Sequence, residues 1–304
     1  MKIAVMAAGG VGGYFGARLA DAGNDVTLFA RGRHLEAMRE GGLGIESALG
    51  DVRLQPVSAT DDPAEVGPVD VVLFAVKLWD TGDAARACRP LLGEDTAVIN
   101  FQNGVGGVEA LREVLGPDHA LGGTAHIAAI IAEPGLIRHT GTMAKLAFGE
   151  TDNRRSARIE AFLEACRVAD IEAHIPEDIE RAIWEKFVFL AALSATTSDA
   201  RQPVGPILAD RGGRRQFRAV MEETAAVGRA LDVDLSRDVV ERLMAFADGL
   251  PGEMKSSMLG DLEAGRRIEV DWLSGAVSRK GRELGIATPV NDALYATIKP
   301  HAQG

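Results

Sequence analysis

The sequence predicts an α/β chain in two parts. An N-terminal Rossmann-type doubly wound sheet covers residues 1–175, and an all-helical C-terminal domain covers residues 176–304. Three observations carry this reading. A glycine-rich turn follows the short apolar run Ile3–Ala7 and opens an amphipathic segment. Strand-like and helix-like pieces alternate through the first half, as stacked βαβ units require. After Pro176 no strand signal remains.

The elements follow in order. Ile3–Ala7 reads as a buried strand and Gly12–Asp21 as a helix by its apolar spacing. Asp25–Ala30 is a second strand, and Gly41–Val57 reads as a hairpin or irregular excursion. Val69–Val76 is continuously apolar, as expected of a parallel strand buried on both faces. Trp79–Leu92 reads as a helix, Thr96–Phe101 as a strand and Val105–Leu115 as a helix. Leu121–Phe148 is strand-like, broken by the turn Glu133-Pro134-Gly135, and Asn153–Ala169 returns to helix. Beyond a boundary near Ile175 and Pro176, helical spacing recurs at Glu177–Thr196, Arg214–Leu231, Arg237–Asp248, Asp271–Leu284 and Asn291–Lys299. There is no internal repeat and no low-complexity linker.

Composition narrows the function classes. The 304 residues suffice for two domains, and 46% hydrophobic with 25% charged residues is ordinary for a soluble globular protein. A net charge of −11 argues against nucleic acid as a partner. No apolar run approaches the ~18 residues that span a membrane. Cys88 and Cys166 lack metal-ligand spacing and read as small buried apolar residues, so no metal is expected and a reduced cytoplasm fits. Lys2 and the apolar text after it imitate a signal peptide. Gly9, Gly10, Gly12, Gly13 and Gly16 interrupt that text and Arg18 follows, so a strand and turn explain it better.

The turn has the register Gly-x-Gly-x-x-Gly, with Ala7, Gly9 and Gly12 in the three places. The middle glycine lets backbone approach a pyrophosphate, and the third allows close helix packing. The helix N-terminus then offers unpaired N–H groups and the positive end of its dipole. Ala8, Gly9, Gly10, Val11 and Gly12 are therefore candidate cofactor-binding residues; a purely structural glycine turn is the alternative. Ala7 departs from the pattern and fits only with a negative φ. The second strand ends in Arg31, followed by Gly32 and Arg33, where an NAD site would place Asp or Glu. An arginine there can pair bidentately with a 2′-phosphate, which points to NADP, although solvent-facing charges would look the same. Lys77 lies at the C-terminal end of its strand, where open α/β sheets bind ligands. Asn103-Gly104 follows the next strand and is either a ligand contact or an ordinary turn.

Two further features point to chemistry. Lys186 lies between Ile183-Trp184 and Phe187-Val188-Phe189-Leu190, either snorkelling at a helix edge or held in a site. Residues 253–292 bring Ser256, Ser257, Asp261, Glu269 and Asp271 into one alternating polar and apolar segment. Hydride delivery to a ketone builds negative charge on oxygen, which a protonated lysine can stabilise and neutralise. Turn, lysine and glutamate together suggest a pyridine-nucleotide reductase acting on a carbonyl group.

The segments KIAVMAAGGVGGYFGARLADAGNDVTLFAR, FAVK, FQNGVGGVEAL, PGLIRHTG, the Lys186 helix, SSM, GRRIEVD and GIATPVN occur in this order between residues 2 and 291. In wording and order they resemble the ketopantoate reductase (2-dehydropantoate 2-reductase) family. The resemblance implies an NADPH-dependent reduction of 2-dehydropantoate to pantoate, a step towards coenzyme A. It implies Lys186 as general acid and Glu269 as the residue that binds the substrate hydroxyl. It also implies Ser257 on the substrate carboxylate, Asn103 on cofactor or substrate, and Lys77 near the cofactor. The implied partner is a small-molecule 2-oxo acid, with a homodimer as the candidate assembly. One departure concerns the asparagines that commonly follow the family's lysine by four and eight residues. Here Leu190 and Ser194 occupy those places. Ser194, with Thr197 and Ser198, is the expected partial replacement for the lost polar contacts. The alternatives are a D-2-hydroxyacid dehydrogenase on the same scaffold and a non-catalytic NADP(H) sensor.

Overall fold

Strand β1 (Lys2–Met6) directs Ile3 and Val5 into one apolar cluster and Ala4 and Met6 into another, and all four are buried. The same alternation recurs further along, with Val71 and Leu73 on one face and Val72 and Phe74 on the other. Strands apolar on both faces belong in the middle of a sheet with helices on each side. A computed structural model, which describes residues 1–304, shows this arrangement. The chain divides into two units: 1–102 with 106–179, and 103–105 with 180–304.

In the first unit, β1 leads to α1 (Gly10–Asp21), β2 (Asp25–Phe29) and α2 (Gly32–Gly41). Next come the short strands β3 (Leu43–Glu46), β4 (Val52–Leu54) and β5 (Ser58–Thr60). Then β6 (Val69–Phe74), α3 (Thr81–Ala87), β7 (Leu92–Asn100) and α4 (Gly107–Leu115) continue the alternation. The unit ends with β8 (Ala120–Glu133), β9 (Leu136–Gly149), α5 (Ala157–Val168) and β10 (Glu172–His174). The sheet order is β4-β3-β9-β8-β7-β6-β1-β2-β5, with β10 beside β9. From β1 the chain steps outward to β2, crosses to the far edge for β3 and β4, comes back to place β5 outside β2, and then returns to β6 on the other side of β1 and steps outward again. The order therefore reverses between β1 and β6, and the segments after those two strands flank the switch point where such sheets bind ligands.

The sheet is parallel from β5 through β8 but antiparallel at β8–β9 and β3–β4. Pro134 and Gly135 alone connect β8 to β9, and so short a link can only reverse the chain. In this unit helix α2 and strands β5 and β10 are additions to the elements expected from sequence, as are the short helices Val204–Ala209 and Ser257–Glu263 of the second unit. α2 buries only Leu35 and Met38, so its apolar stripe is thin. The two strands have three residues each and carry little periodic signal.

The second unit is helical: α6 (Ile179–Ala200), α7 (Val204–Ala209), α8 (Arg211–Ala230), α9 (Val239–Asp248), α10 (Ser257–Glu263), α11 (Ser274–Leu284) and α12 (Pro289–Ile298). Its core includes Trp184, Phe187, Val188 and Ala191 of α6 against Phe217, Val220 and Met221 of α8. A Cβ on Gly228 would lie 2.8 Å from the Trp184 ring, so that glycine sets how closely α8 approaches α6. Glu223 accepts the backbone N–H groups of Val290 and Asn291 at 2.8 and 2.9 Å and so caps α12. The two cysteines are free and buried, and burial pushes both thiols up to about 12, which suits packing rather than reactivity. No helix is long and apolar enough to cross a membrane.

The glycines of the first turn differ in what surrounds them. A Cβ on Gly12 would lie 2.1 Å from the Ala7 carbonyl oxygen and 2.8 Å from Val5, whereas one on Gly9 would meet nothing within 4 Å. Overpacking costs about 1–3 kcal/mol, so Gly12→Ala should lower the Tm by roughly 3–10 °C while Gly9→Ala leaves it nearly unchanged. Thermal denaturation of the two variants side by side checks this, and equal Tm values would show that α1 can shift away from β1.

Candidate active site

Ala7 keeps φ out of the positive region, so alanine is tolerated in the place where the motif expects glycine. The first backbone bond of α1 runs from the Gly13 N–H to the Gly9 oxygen at 2.7 Å. The N–H groups of Gly10, Val11 and Gly12 precede it and are the ones a phosphate can take. Space above Gly9 is open, and a Cβ on Gly10 would meet the Ala129 carbonyl at 2.1 Å, so β8 backs the turn. This donor set and opening fit a dinucleotide pyrophosphate. Arg31 is the exposed N-cap residue of α2, directly after β2. Lys77 is exposed after β6, with its ammonium 5.7 Å from the centre of the Trp79 ring.

Asn103 and Lys186 lie 83 residues apart in sequence, and both belong to the second unit. The Lys186 ammonium donates to Asn103 Oδ1 at 2.9 Å. Burial lowers the Lys186 pKa from its usual value to about 8, while the Glu269 carboxylate opposes that shift by Coulomb attraction. Desolvation wins because Trp184, Phe187 and Val188 flank the lysine on α6 and are buried. Roughly nine-tenths of such a group is still protonated at pH 7. Snorkelling is therefore not its role: the charged end is directed into the protein. Glu269 is 7% exposed, between the buried Ile268 and Val270.

The serines separate. Ser256 is the N-cap of α10: its hydroxyl accepts from the Leu259 N–H at 3.0 Å and pairs with the Thr197 hydroxyl at 2.8 Å. Ser257 is the first residue of the helix and is exposed, so its hydroxyl is not the cap. Ser194 requires a correction. It is fully buried and its Oγ has no hydrogen-bond partner, so it offers a substrate no accessible atom. Eight residues at 3.6 per turn place Ser194 about 80° round α6 from Lys186, whereas Leu190 is about 40° away. Thr197 also bonds back to the Leu193 oxygen, and Ser198 is buried and unpartnered. The expected hydroxyl replacement is thus absent, and the half-buried Leu190 occupies the place one turn beyond the lysine.

A family model described as Ketopantoate reductase PanE/ApbA matches residues 3–153, and one described as Ketopantoate reductase PanE/ApbA C terminal matches residues 178–302. The chain belongs to the ketopantoate reductase family. Membership makes it a nicotinamide-dinucleotide-dependent oxidoreductase of the kind that acts on 2-oxo acids. It is 35% identical over 301 residues to the uncharacterized oxidoreductase YkpB of Bacillus subtilis, covering 98% of both chains. It is 34% identical over 320 residues to a 2-dehydropantoate 2-reductase of Mesorhizobium japonicum, covering 98% of this chain and 97% of that one. Among solved structures, a PanE/ApbA family ketopantoate reductase from Ralstonia eutropha superposes with a TM-score of 0.91 at 34% identity, covering 99% and 98% of the two chains.

A lysine with a pKa of about 8 can give a proton only below that value. In the reducing direction, kcat should fall as pH rises through about 8. Glu269→Gln removes the carboxylate that holds the ammonium charged, so the fall should move to lower pH. Lys186→Ala should lower kcat by about 10²–10⁴-fold and abolish that limb of the profile. A pH–rate profile of the three proteins checks this; an unchanged limb in Lys186→Ala assigns the titration to another group.

Proposed function

We propose that this protein reduces 2-dehydropantoate to pantoate with NADPH. The observation that carries the reading is the Lys186 ammonium, held by Asn103 and attracted by Glu269 in a desolvated setting. The cofactor, when bound, supplies the hydride. The chain's own residues do the rest. The N–H groups of Gly10, Val11 and Gly12 hold the pyrophosphate, with Ala8 and Gly9 completing the turn, and Arg31 pairs with the 2′-phosphate. Asn103 Oδ1 accepts from Nζ and so directs another of its protons to the C2 oxygen of the substrate. Lys186 stabilises negative charge as it builds on that oxygen and then transfers the proton, leaving a neutral amine that solvent reprotonates. Glu269 accepts a hydrogen bond from the substrate hydroxyl and keeps Lys186 charged between turnovers. The exposed Ser257 hydroxyl serves the substrate carboxylate. A reduced cytoplasm suits the two free buried thiols.

Arg31→Ala tests the cofactor assignment. Titration should show NADPH weakened by about tenfold or more and NADH nearly unaffected, because only NADPH carries the 2′-phosphate. Equal loss for both, or a native preference for NADH, removes Arg31 from this role.

Leu190 supports a second reading, in which the preferred substrate is a 2-oxo acid with no hydroxyl. A site that hydrogen-bonds a hydroxyl rejects analogues lacking it, whereas an apolar wall discriminates weakly. An NADPH-oxidation panel with 2-dehydropantoate, 2-oxoisovalerate and phenylglyoxylate separates the readings. With Leu190 in the wall, 2-dehydropantoate should be favoured over 2-oxoisovalerate only weakly or not at all, and Leu190→Asn should shift kcat/KM towards 2-dehydropantoate by roughly 5–150-fold. A native preference of several orders of magnitude for 2-dehydropantoate would mean that Glu269 and other groups read the hydroxyl unaided. No turnover of any of the three would point to a sensor.

A further inference from the structure

His34 lies on α2, three residues beyond Arg31. Its two ring nitrogens make two defined bonds. The Gly135 N–H donates to Nδ1 at 3.0 Å, so Nδ1 must be unprotonated. Nε2 lies 3.0 Å from the Ala8 carbonyl oxygen, which can only accept, so Nε2 must carry the hydrogen. The ring is therefore a neutral, single tautomer. Half-burial, which lowers its pKa against the opposing pull of the Ala8 bond, keeps it so.

The acceptor that His34 takes is the one next to the phosphate donors. The Ala8 N–H is already committed to the Phe29 oxygen at 2.7 Å, so both backbone groups of Ala8 are tied to the β2–α2 segment. An α-helix extended one residue towards its N-terminus would bond the Gly12 N–H to the Ala8 oxygen. Here the helix begins instead with Gly13 N–H to Gly9 oxygen, and the Ala8 oxygen is held by His34. This has two effects. The Gly12 N–H remains available to an anion, and a carbonyl dipole that would repel phosphate is drawn onto a donor.

We propose that His34 is a positioning residue for the dinucleotide pyrophosphate, acting through the Ala8 carbonyl. This rests on the reading of residues 8–12 as the cofactor turn but not on the choice between NADP and NAD. The second bond, to Gly135, orients the ring. Gly135 is itself fixed, since its oxygen accepts the Gly44 N–H at 2.9 Å and a Cβ there would lie 3.3 Å from the Ala37 side chain.

The two bonds can be separated by substitution. Glutamine can place an amide N–H near the Nε2 position, asparagine can place an oxygen near the Nδ1 position, and leucine supplies neither. Kd values for NADPH and NADH, from titration of each purified variant, are the primary readout, with Tm measured alongside. His34→Leu and His34→Asn should weaken both dinucleotides by the same factor, about tenfold, because both ligands carry the pyrophosphate. His34→Gln should stay within about twofold of wild type, and kcat at saturating cofactor should be unchanged in all three. Three results overturn the proposal: His34→Leu binding as wild type does, asparagine rescuing where glutamine does not, or loss confined to NADPH. A wild type that binds neither dinucleotide overturns the reading of the turn and this inference with it. A wild type that prefers NADH removes only the Arg31 role.

Discussion

Keeping an ammonium charged among apolar side chains is the constraint on which the second unit turns. Lys186 extends from a helix whose neighbouring residues Trp184, Phe187 and Val188 form the core, and that core withdraws water from its charge. Desolvation alone would drive the lysine towards its neutral form, which cannot donate a proton. Asn103 supplies a hydrogen-bond acceptor and Glu269 an opposite charge. The balance leaves a group that is charged at neutral pH yet gives up its proton far more readily than a surface lysine. Glu269 sits between buried Ile268 and Val270, and Ile268 is pinned by its N–H to the Ala302 oxygen at 3.0 Å. The position of the carboxylate therefore depends on how the last turn of the chain packs.

The first unit solves a different problem, that of leaving backbone donors unpaired without destabilising the fold. α1 can begin close to β1 only because Gly12 and Gly16 lack side chains: a Cβ at Gly16 would lie 2.8 Å from both Val5 and Leu28. Close packing then holds the helix end while its first N–H groups stay free for a ligand. His34 takes the neighbouring carbonyl. A neutral imidazole suits this place because it can donate at one nitrogen and accept at the other, which no aliphatic or ammonium side chain can do.

On α6, spacing and rotation decide what a substrate could meet. Leu190 stays near the face of Lys186, whereas Ser194 turns into the core between Ala191, Ala192 and Ala195. Thr197 turns inward as well, but its hydroxyl finds work: it ties α6 to the cap of α10 through Ser256. That tie fixes the start of α10 and so the backbone that carries Ser257.

Periodicity made the frame legible. The strands at Ile3–Ala7 and Val69–Val76, the first helix and the helical character after Pro176 follow from apolar spacing, because burial on two faces or on one stripe leaves a local mark. The candidate residues on either side of the switch point, and Lys186 with Glu269, could be named from residue type and family wording. The sequence could not show which neighbours those residues meet. His34 reaches a turn 101 residues away, and Lys186 an asparagine 83 residues away. Hydrogen bonds of that span leave no periodic trace in a linear text. Burial of the Ser194 hydroxyl likewise depends on what packs around α6, whereas α2 lacks a periodic mark because its apolar stripe is only Leu35 and Met38. Local spacing determined which elements form; tertiary packing decided which of their polar atoms are left for chemistry, since only packing sets desolvation and partners.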